Sequence, residues 1–407
     1  MKSGWAIKKL GEVCELIADG DWIESKDQST SGIRLVQTGN VGVGVFRNKE
    51  GSEHFISSET FKRLNCTEIF GGDILISRLP DPVGRACIVP ELEQGMITAV
   101  DCSIVRLRRE VCLPAFLVYY ASSAEWFDAI EAKCTGSTRK RISRKNLTDV
   151  LVPVPSLPEQ KRIVAKIDAA FEKIDKLKAN AERNLANAKD LFQSALDEAM
   201  RPKKGWVEKR LGEVCAKIGS GATPRGGRSS YCATGVSLIR SMNVYDHAFE
   251  YKDLAHISND QANELDNVTI ENQDVLINIT GASVARCCVV PNDVLPARVN
   301  QHVAILRIGN RTVLEPEFLC YSLITPANKH LLLGIGEAGS TRQALTKSDL
   351  SNFVIQIPSI NLQREIIQKV SELSYRVAAL QQHYTRQIAD CAEMRQSVLR
   401  EAFEGRL

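Results

Sequence analysis

Leu10-Gly11-Glu12-Val13-Cys14 near the start of the chain returns as Leu211-Gly212-Glu213-Val214-Cys215, and this repetition decides the fold. Other segments recur at almost the same offset of roughly 200 residues, which is long enough for a whole domain. They are Gly4-Trp5 with Gly205-Trp206, Asp73-Ile74-Leu75-Ile76 with Asp274-Val275-Leu276-Ile277, and Gly136-Ser137-Thr138-Arg139 with Gly339-Ser340-Thr341-Arg342. The chain of 407 residues is therefore a tandem duplication.

Each half opens with a region that mixes short apolar runs with Gly, Pro and Asn. Ile74-Leu75-Ile76 is typical of a strand, and residues 58–65 and 114–132 are predicted to be helical. We assign residues 1–155 and 204–358 to two similar α+β domains.

A long helix is predicted after each of these domains. Ser156-Leu157-Pro158-Glu159 is a capping box with proline in the first turn, and apolar residues recur every three or four positions from Ile163 to Ala199. The same pattern extends from Ile366 to Ala402. A helix of this length would span roughly 65 Å, which favours a coiled coil.

The two helices supply each other with a partner for their apolar faces. We predict that helical spacers 156–203 and 359–407 pair antiparallel, because a short linker can then return the chain to the second domain. This arrangement joins the two α+β domains by two long antiparallel coiled-coil helices, related by a pseudo-twofold axis.

The composition is that of a folded chain in water. Apolar residues make up 44%, charged residues 25%, and the net charge is +3, which excludes a disordered segment or a general polycation. No apolar run is long enough to cross a membrane, and the first residues lack the apolar core of a signal peptide, so we expect a cytoplasmic protein. The 12 cysteines are scattered without a C-x-x-C pair, which favours reduced thiols over zinc sites or disulfides.

Motifs of catalysis are missing from the sequence. It contains no G-x-x-x-x-G-K-[ST] phosphate loop and no [DN]-P-P-[YF] segment of an adenine methyltransferase. The segment from Val41 to Arg47 begins like a dinucleotide loop but lacks its third glycine. We therefore expect no catalytic residue, no metal site and no cofactor in this chain.

Positive charge is concentrated in residues 135–145. This stretch contains Arg139, Lys140, Arg141, Arg144 and Lys145, and no acidic residue. The Gly-Ser-Thr-Arg segment would offer backbone N–H groups, a hydroxyl and a guanidinium to a phosphate group. A solvated loop is the plainer interpretation, but the recurrence of this segment in the second half favours phosphate binding.

The whole chain resembles the specificity subunit of type I restriction-modification enzymes. The resemblance rests on both Gly-Ser-Thr-Arg segments, on Asn300-Gln301-His302, and on two longer segments. The longer segments are Pro155-Ser156-Leu157-Pro158-Glu159-Gln160-Lys161-Arg162-Ile163-Val164 and Ser397-Val398-Leu399-Arg400-Glu401-Ala402-Phe403-Glu404-Gly405-Arg406-Leu407. In the first half, Ala99-Val100-Asp101 replaces the Asn-Gln-His segment, as expected if the two domains read different sequences.

The resemblance implies a function in DNA recognition. Each target-recognition domain would read one half of a bipartite, gapped and asymmetric site in double-stranded DNA. The chain would dock with two modification subunits, which hold the adenine methyltransferase chemistry and S-adenosylmethionine. Restriction subunits, the translocase and nuclease that use ATP and Mg²⁺, would then join for cleavage.

The loops that share the family pattern supply the candidate DNA-binding residues. Asn40 and Asn243 could instead cap turns, and Arg85 and Arg286 could be structural supports. The candidates in the first domain are Gln37, Thr38, Asn40, Arg78, Arg85, Arg139, Lys140, Arg144 and Lys145. Those in the second are Thr223, Arg240, Asn243, Asn278, Arg286, Arg342 and Lys347.

Two other function classes stay open on the sequence alone. A self-sufficient DNA-modifying enzyme would methylate or cut DNA without added subunits. A coiled-coil scaffold would not discriminate one DNA sequence from another.

Overall fold

A computed structural model describes residues 4–136, 139–337 and 344–407. The chain divides into two compact units, each of which takes one part of both long helices. The first unit comprises Met1–Glu182 with Thr385–Leu407, and the second comprises Arg183–Tyr384.

The first half of the chain begins with strands and short helices and ends in one long helix. Its strands are β1 (Ala6–Lys9), β2 (Cys14–Asp19), β3 (Gln28–Ser29), β4 (Ile33–Val36), β5 (His54–Ile56), β6 (Ile74–Ser77), β7 (Ala86–Ile88), β8 (Met96–Thr98), β9 (Cys102–Leu107) and β10 (Leu151–Val154). Its helices are α1 (Ser58–Leu64), α2 (Pro114–Tyr120), α3 (Ala124–Glu131), α4 (Arg144–Thr148) and α5 (Leu157–Met200).

The second half repeats this order. Its strands are β11 (Val207–Arg210), β12 (Cys215–Ser220), β13 (Val236–Ile239), β14 (Val244–Tyr245), β15 (Ala248–Phe249), β16 (Ala255–Ile257), β17 (Val275–Asn278), β18 (Cys287–Val289), β19 (Ala297–Val299), β20 (Val303–Ile308) and β21 (Val354–Ile357). Its helices are α6 (Leu211–Val214), α7 (Asn259–Glu264), α8 (Pro316–Ile324), α9 (Pro326–Glu337), α10 (Lys347–Asn352) and α11 (Ile360–Phe403).

The larger sheet has the same strand order in both halves, which confirms the predicted α+β repeat. An antiparallel sheet has the order β2-β9-β6-β7 in the first half and β12-β20-β17-β18 in the second. A smaller mixed sheet pairs β4 parallel to β8, and β13 parallel to β19. A two-stranded ribbon, β1 with β10 or β11 with β21, lies before the long helix of each half. The central strands β6 and β17 are buried throughout because they pack on both faces.

The helix predicted over 114–132 is broken into α2 and α3. Ser123 adopts an extended conformation, and its hydroxyl accepts the backbone N–H of Trp126 at 3.3 Å, so a new helix begins there. The break also lets the Trp126 indole donate to the carbonyl of Gly84 at 2.8 Å. The serine cap and the hydrogen bond to a distant backbone group therefore stabilise two short helices where the residue types alone favour one long helix.

The long helices α5 and α11 run antiparallel, as predicted. In the first unit the early part of α5 packs on the late part of α11: the Arg395 guanidinium lies 3.9 Å from the Phe171 ring centre. In the second unit the late part of α5 packs on the early part of α11, where Leu196 and Ile366 share one core. The apolar stripe predicted from the sequence is interrupted, because Leu177 is 55% exposed.

Candidate nucleic-acid interface

Three loops at equivalent positions of each unit converge at the carboxyl end of the parallel strand pair. Adjacent parallel strands end at the same edge of a sheet, so the loops after β4 and β8 are neighbours. The backbone N–H of Ala99 donates to Val36, and that of Asn300 donates to Ile239, at 2.9 and 3.1 Å. The loops after β2 and β12 join this edge, because Gly20 and Gly221 pass directly against the main chain that follows β8 and β19.

Asn40 and Asn243 hold the first of these loops in the same way in both units. The side-chain oxygen of Asn40 accepts the N–H of Gln37 at 2.9 Å, and its amide donates to Arg47 at 2.9 Å. Asn243 accepts the N–H of Arg240 at 3.1 Å and donates to Glu250 at 2.9 Å. Both side chains are buried, so they shape the loops that carry Gln37 and Arg240.

Arg85 and Arg286 occupy equivalent positions but differ in their contacts. Arg85 is buried and donates to four backbone carbonyl groups, including Val41 at 2.7 Å and Thr38 at 3.0 Å. It is a structural support, bound to carbonyl groups rather than to a carboxylate. Arg286 is half-buried, and its guanidinium lies 4.6 Å from the ring centre of Tyr245.

Arg78 and Asn278 are also buried. Arg78 lies 3.3 Å from Asp19, and burial lowers the pKa of its guanidinium while the Asp19 carboxylate opposes that shift. The Asn278 amide donates to Ser241 at 2.9 Å, and its side-chain oxygen has no partner among the described residues. These two candidates therefore lie beneath the loops, within the framework that supports them.

Acidic and basic side chains meet at the loop edge of the first unit. Arg141 lies 3.2 Å from Asp101, and Arg144 lies 3.9 Å from Asp19. Both arginines keep about half of their side-chain surface exposed. Arg141 was not among the residues selected from the sequence, although it belongs to the same basic stretch.

The basic stretch presents the most exposed candidates. Arg139, Lys140 and Lys145 are exposed, and Lys140 forms an ion pair with Glu131. In the second unit the exposed Lys347 is the first residue of α10, as Arg144 is the first residue of α4. Arg342 lies outside the described residues.

The second unit has a cluster of hydroxyl, imidazole and amide groups at the corresponding edge. The Thr280 hydroxyl lies 2.5 Å from Nδ1 of His302, whose Nε2 lies 3.1 Å from the Gln301 amide. The exposed Thr223 donates to Gln301. His302 occupies the position that Asp101 has in the first unit, directly before the following strand.

A cavity of about 480 Å³ opens beside this cluster. Its lining includes Ser241, Met242, Tyr245, Arg286 and His302. Met242 and Tyr245 are 39% and 42% exposed, and sequence reasoning did not select them. The sequence carries no signal for them, because their exposure is decided by the tertiary structure. Trp22, 70% exposed directly after Gly20-Asp21, was missed in the first unit for the same reason.

Gln37 and Arg240 are the equivalent residues that begin the turn after β4 and β13. Gln37 and Thr38 are half-buried. The Arg240 guanidinium lies 5.5 Å from the ring centre of Tyr231 and donates to the carbonyl of Asp253. Its Nε atom has no hydrogen-bond partner among the described residues.

Other classes of site receive no support from the described part of the chain. No cluster of His, Cys, Asp and Glu there could hold a metal ion, and every cysteine is unpaired. None of the described helices has the length and hydropathy that a membrane crossing requires.

Comparison with known proteins identifies relatives by sequence. The specificity subunit of the type I restriction enzyme EcoBI from Escherichia coli is 25% identical over 316 residues, which are 71% of this chain and 65% of that protein. The specificity subunit of StySPI from Salmonella potsdam is 21% identical over 307 residues, 72% of this chain and 65% of that protein. The match thus spans slightly less than two thirds of these relatives.

Solved structures share the fold. A chain from a structure on complex assembly and conformational transition of the type I R-M system superposes with a TM-score of 0.79 at 24% identity, covering 100% of this chain and 99% of that one. The HsdS subunit from Thermoanaerobacter tengcongensis gives a TM-score of 0.56 at 23% identity, with coverage of 100% and 98%. A family model for the type I restriction modification DNA specificity domain matches residues 2–185 and 203–389. This chain therefore belongs to the family of type I restriction-modification DNA specificity domains.

Proposed function

We propose that this chain is the non-catalytic specificity subunit of a type I restriction-modification complex. It reads a bipartite and asymmetric DNA site, in which two specified blocks flank base pairs that are not read. One observation carries the proposal: the two units present the same loop framework with different side chains. Asp101 in one unit is replaced by His302 in the other, and Gln37 is replaced by Arg240.

These differences account for an asymmetric target. A carboxylate accepts a hydrogen bond, as from the amino group of cytosine, while arginine pairs with the two acceptors of guanine. Two loops with such different donors and acceptors cannot favour the same bases. The exposed residues Arg139, Arg144, Lys145 and Lys347 supply the phosphate contacts that hold each unit on the duplex.

The chemistry of the complex belongs to other chains in this proposal. Two modification subunits carry S-adenosylmethionine and methylate adenine at the site that this chain selects. Restriction subunits use ATP and Mg²⁺ to translocate and cleave the DNA. All of these act on double-stranded DNA in the cytoplasm.

Mapping of methylated adenines in cells tests the proposal. Cells that express the chain with its modification subunits should methylate one gapped, asymmetric sequence that is unmodified in cells without it. Replacing residues 206–358 by the same region of a relative should change one specified block and leave the other intact. Methylation that does not depend on this chain, or a change in both blocks, would contradict the proposal.

A further inference from the structure

A buried glutamine lies in the first turn of each long helix. The Oε1 atom of Gln160 accepts the N–H of Leu113 at 2.8 Å, and its Nε2 atom donates to Val111 and Pro155, both at 2.9 Å. Leu113 directly precedes α2 of the recognition domain, and Pro155 lies two residues before the start of the long helix. One side chain thus connects the domain to its helix through three directional bonds.

The second unit repeats this arrangement. Gln363 accepts the N–H of Glu315 at 3.0 Å and donates to Val313 at 2.8 Å and Pro358 at 2.9 Å. Both glutamine side chains are 0% exposed, so water cannot replace the bonds if they are lost. An apolar residue of similar size would fill the same space, but it would not select one orientation.

A second contact lies two turns further along each helix. The Tyr119 hydroxyl of α2 donates to Asp168 of α5. The Tyr321 hydroxyl of α8 lies 3.0 Å from the Ser371 hydroxyl of α11. At 1.5 Å per residue the two contacts on each helix are about 12 Å apart. Two separated attachment points fix a direction, whereas one point would allow the helix to pivot.

We infer that Gln160 with Tyr119, and Gln363 with Tyr321, form a two-point joint that sets the angle between each recognition domain and its spacer helix. Through that angle, the joint determines how many unread base pairs separate the two specified blocks. The glutamines and tyrosines are positioning residues, because they contact the protein main chain and the helix rather than DNA. The inference rests on the proposed function.

Methylation maps of four single variants, each expressed in the full complex, test the joint. Gln160→Met and Gln363→Met keep the volume of the side chain and remove the three bonds, while Tyr119→Phe and Tyr321→Phe remove one hydroxyl each. Both specified blocks should be unchanged in every variant. In the glutamine variants the fraction of methylated sites whose gap differs by one base pair should rise about tenfold, because no single orientation is favoured any longer.

A matched control separates loss of the joint from loss of stability. Leu75→Ala removes a buried side chain from a separate core and lowers the unfolding temperature without touching the joint. It should retain a single gap length. If a glutamine variant fails to fold, the tyrosine variants supply the same readout.

The outcomes distinguish the joint from the function on which it rests. An unchanged gap in folded glutamine and tyrosine variants would overturn the inference, as would equal broadening by Leu75→Ala. A wild-type chain that directs no gapped methylation would refute the proposed function itself.

Discussion

At the scale of single residues, burial separates the candidate side chains into those that shape the loops and those that can reach a duplex. Asn40, Asn243 and Arg85 already use their polar atoms on neighbouring backbone groups. Releasing such a buried group to bind DNA would leave its former partners unsatisfied, at a cost of about 1–3 kcal/mol. DNA contact is therefore expected from exposed residues such as Arg139 and Lys347.

Substituting both Arg139 and Lys140 by alanine should weaken binding to cognate and random DNA alike. Each phosphate contact releases counterions, so the slope of log K against log salt concentration should fall by about 1–2. Arg139 should contribute more than Lys140, which is paired with Glu131. Binding measured from low to moderate salt checks this, with Lys176→Ala on α5 as the control. Unchanged affinity for random DNA would argue against phosphate contacts here.

Arg240→Ala should affect one position of one half-site. Discrimination between the preferred base and the others should fall by about 1–3 kcal/mol at that position, while affinity for random DNA stays close to that of the wild type. Competition binding against single-base variants of the site measures this. Arg311→Ala, in the loop after β20, should leave the discrimination intact. A uniform loss across all sequences would place Arg240 on a phosphate instead.

His247 should make the second unit less stable in acid. Burial lowers the pKa of its imidazole below the ordinary value of 6.5, and its ring stacks on Tyr321 at 4.5 Å. Below pH 6.5 the unfolded chain therefore binds more protons at this residue than the folded chain does, so the free energy of unfolding decreases as the pH falls. Above pH 6.5 the imidazole is neutral in both states and this loss of stability is absent. The slope is up to about 1.4 kcal/mol per pH unit.

Denaturant unfolding at several pH values measures the effect of His247. Asparagine tolerates the left-handed backbone at this position, where φ is +54°. In His247→Asn the free energy of unfolding should therefore vary less between pH 7 and pH 5. The comparison uses the slope, because loss of the stacked ring also lowers stability at every pH. An identical slope in both proteins would show that His247 does not cause it.

At the scale of elements, the loop edge depends on a close approach between strands. Gly20 and Gly221 directly follow β2 and β12, and each lies against the main chain at the end of the parallel strand of the smaller sheet. A Cβ at Gly221 would overlap the carbonyl oxygen of Val299. The overlap involves backbone, which cannot rotate away as a side chain can.

Gly221→Ala should therefore lower the stability of the second unit by about 1–3 kcal/mol or more. It should also displace the loop that carries Thr223 and weaken recognition of one half-site. Gly219→Ala is the matched control, because nothing lies within 4 Å of its added Cβ. Chemical denaturation compares the two variants. Equal free energies of unfolding for the two variants would mean that the loop edge accommodates the added methyl group without losing stability.

At the scale of the whole molecule, the helices belong to both units. The boundary between the units falls after Glu182 in α5 and after Tyr384 in α11. A change in spacer length must therefore be made in both helices, or the pairing within one unit would lose its register.

Inserting four residues after Glu182 and four after Tyr384 should lengthen the unread gap and preserve both specified blocks. Four residues add about 6 Å and nearly one full turn, so the apolar stripe stays approximately in phase. The gap in methylation maps should grow by about one or two base pairs at 3.4 Å each. Matched insertions of two residues rotate the stripe by about 200° and should abolish methylation. The original gap in the four-residue variant would exclude the helices as the spacer.

The sequence by itself determined the duplication, the α+β class and the two long helices, because repeats and apolar periodicity are properties of the linear order of residues. It also placed the basic stretch around Arg139. Only the tertiary structure decided which polar residues are buried, since burial depends on elements distant in the chain: Arg85 bonds to Val41, and Gln160 to Leu113. The same reason explains the misjudged helix over 114–132, whose break is stabilised by a contact between Trp126 and Gly84. The exposure of Met242 and Tyr245 likewise depends on separate loops that meet at one edge only in the folded structure.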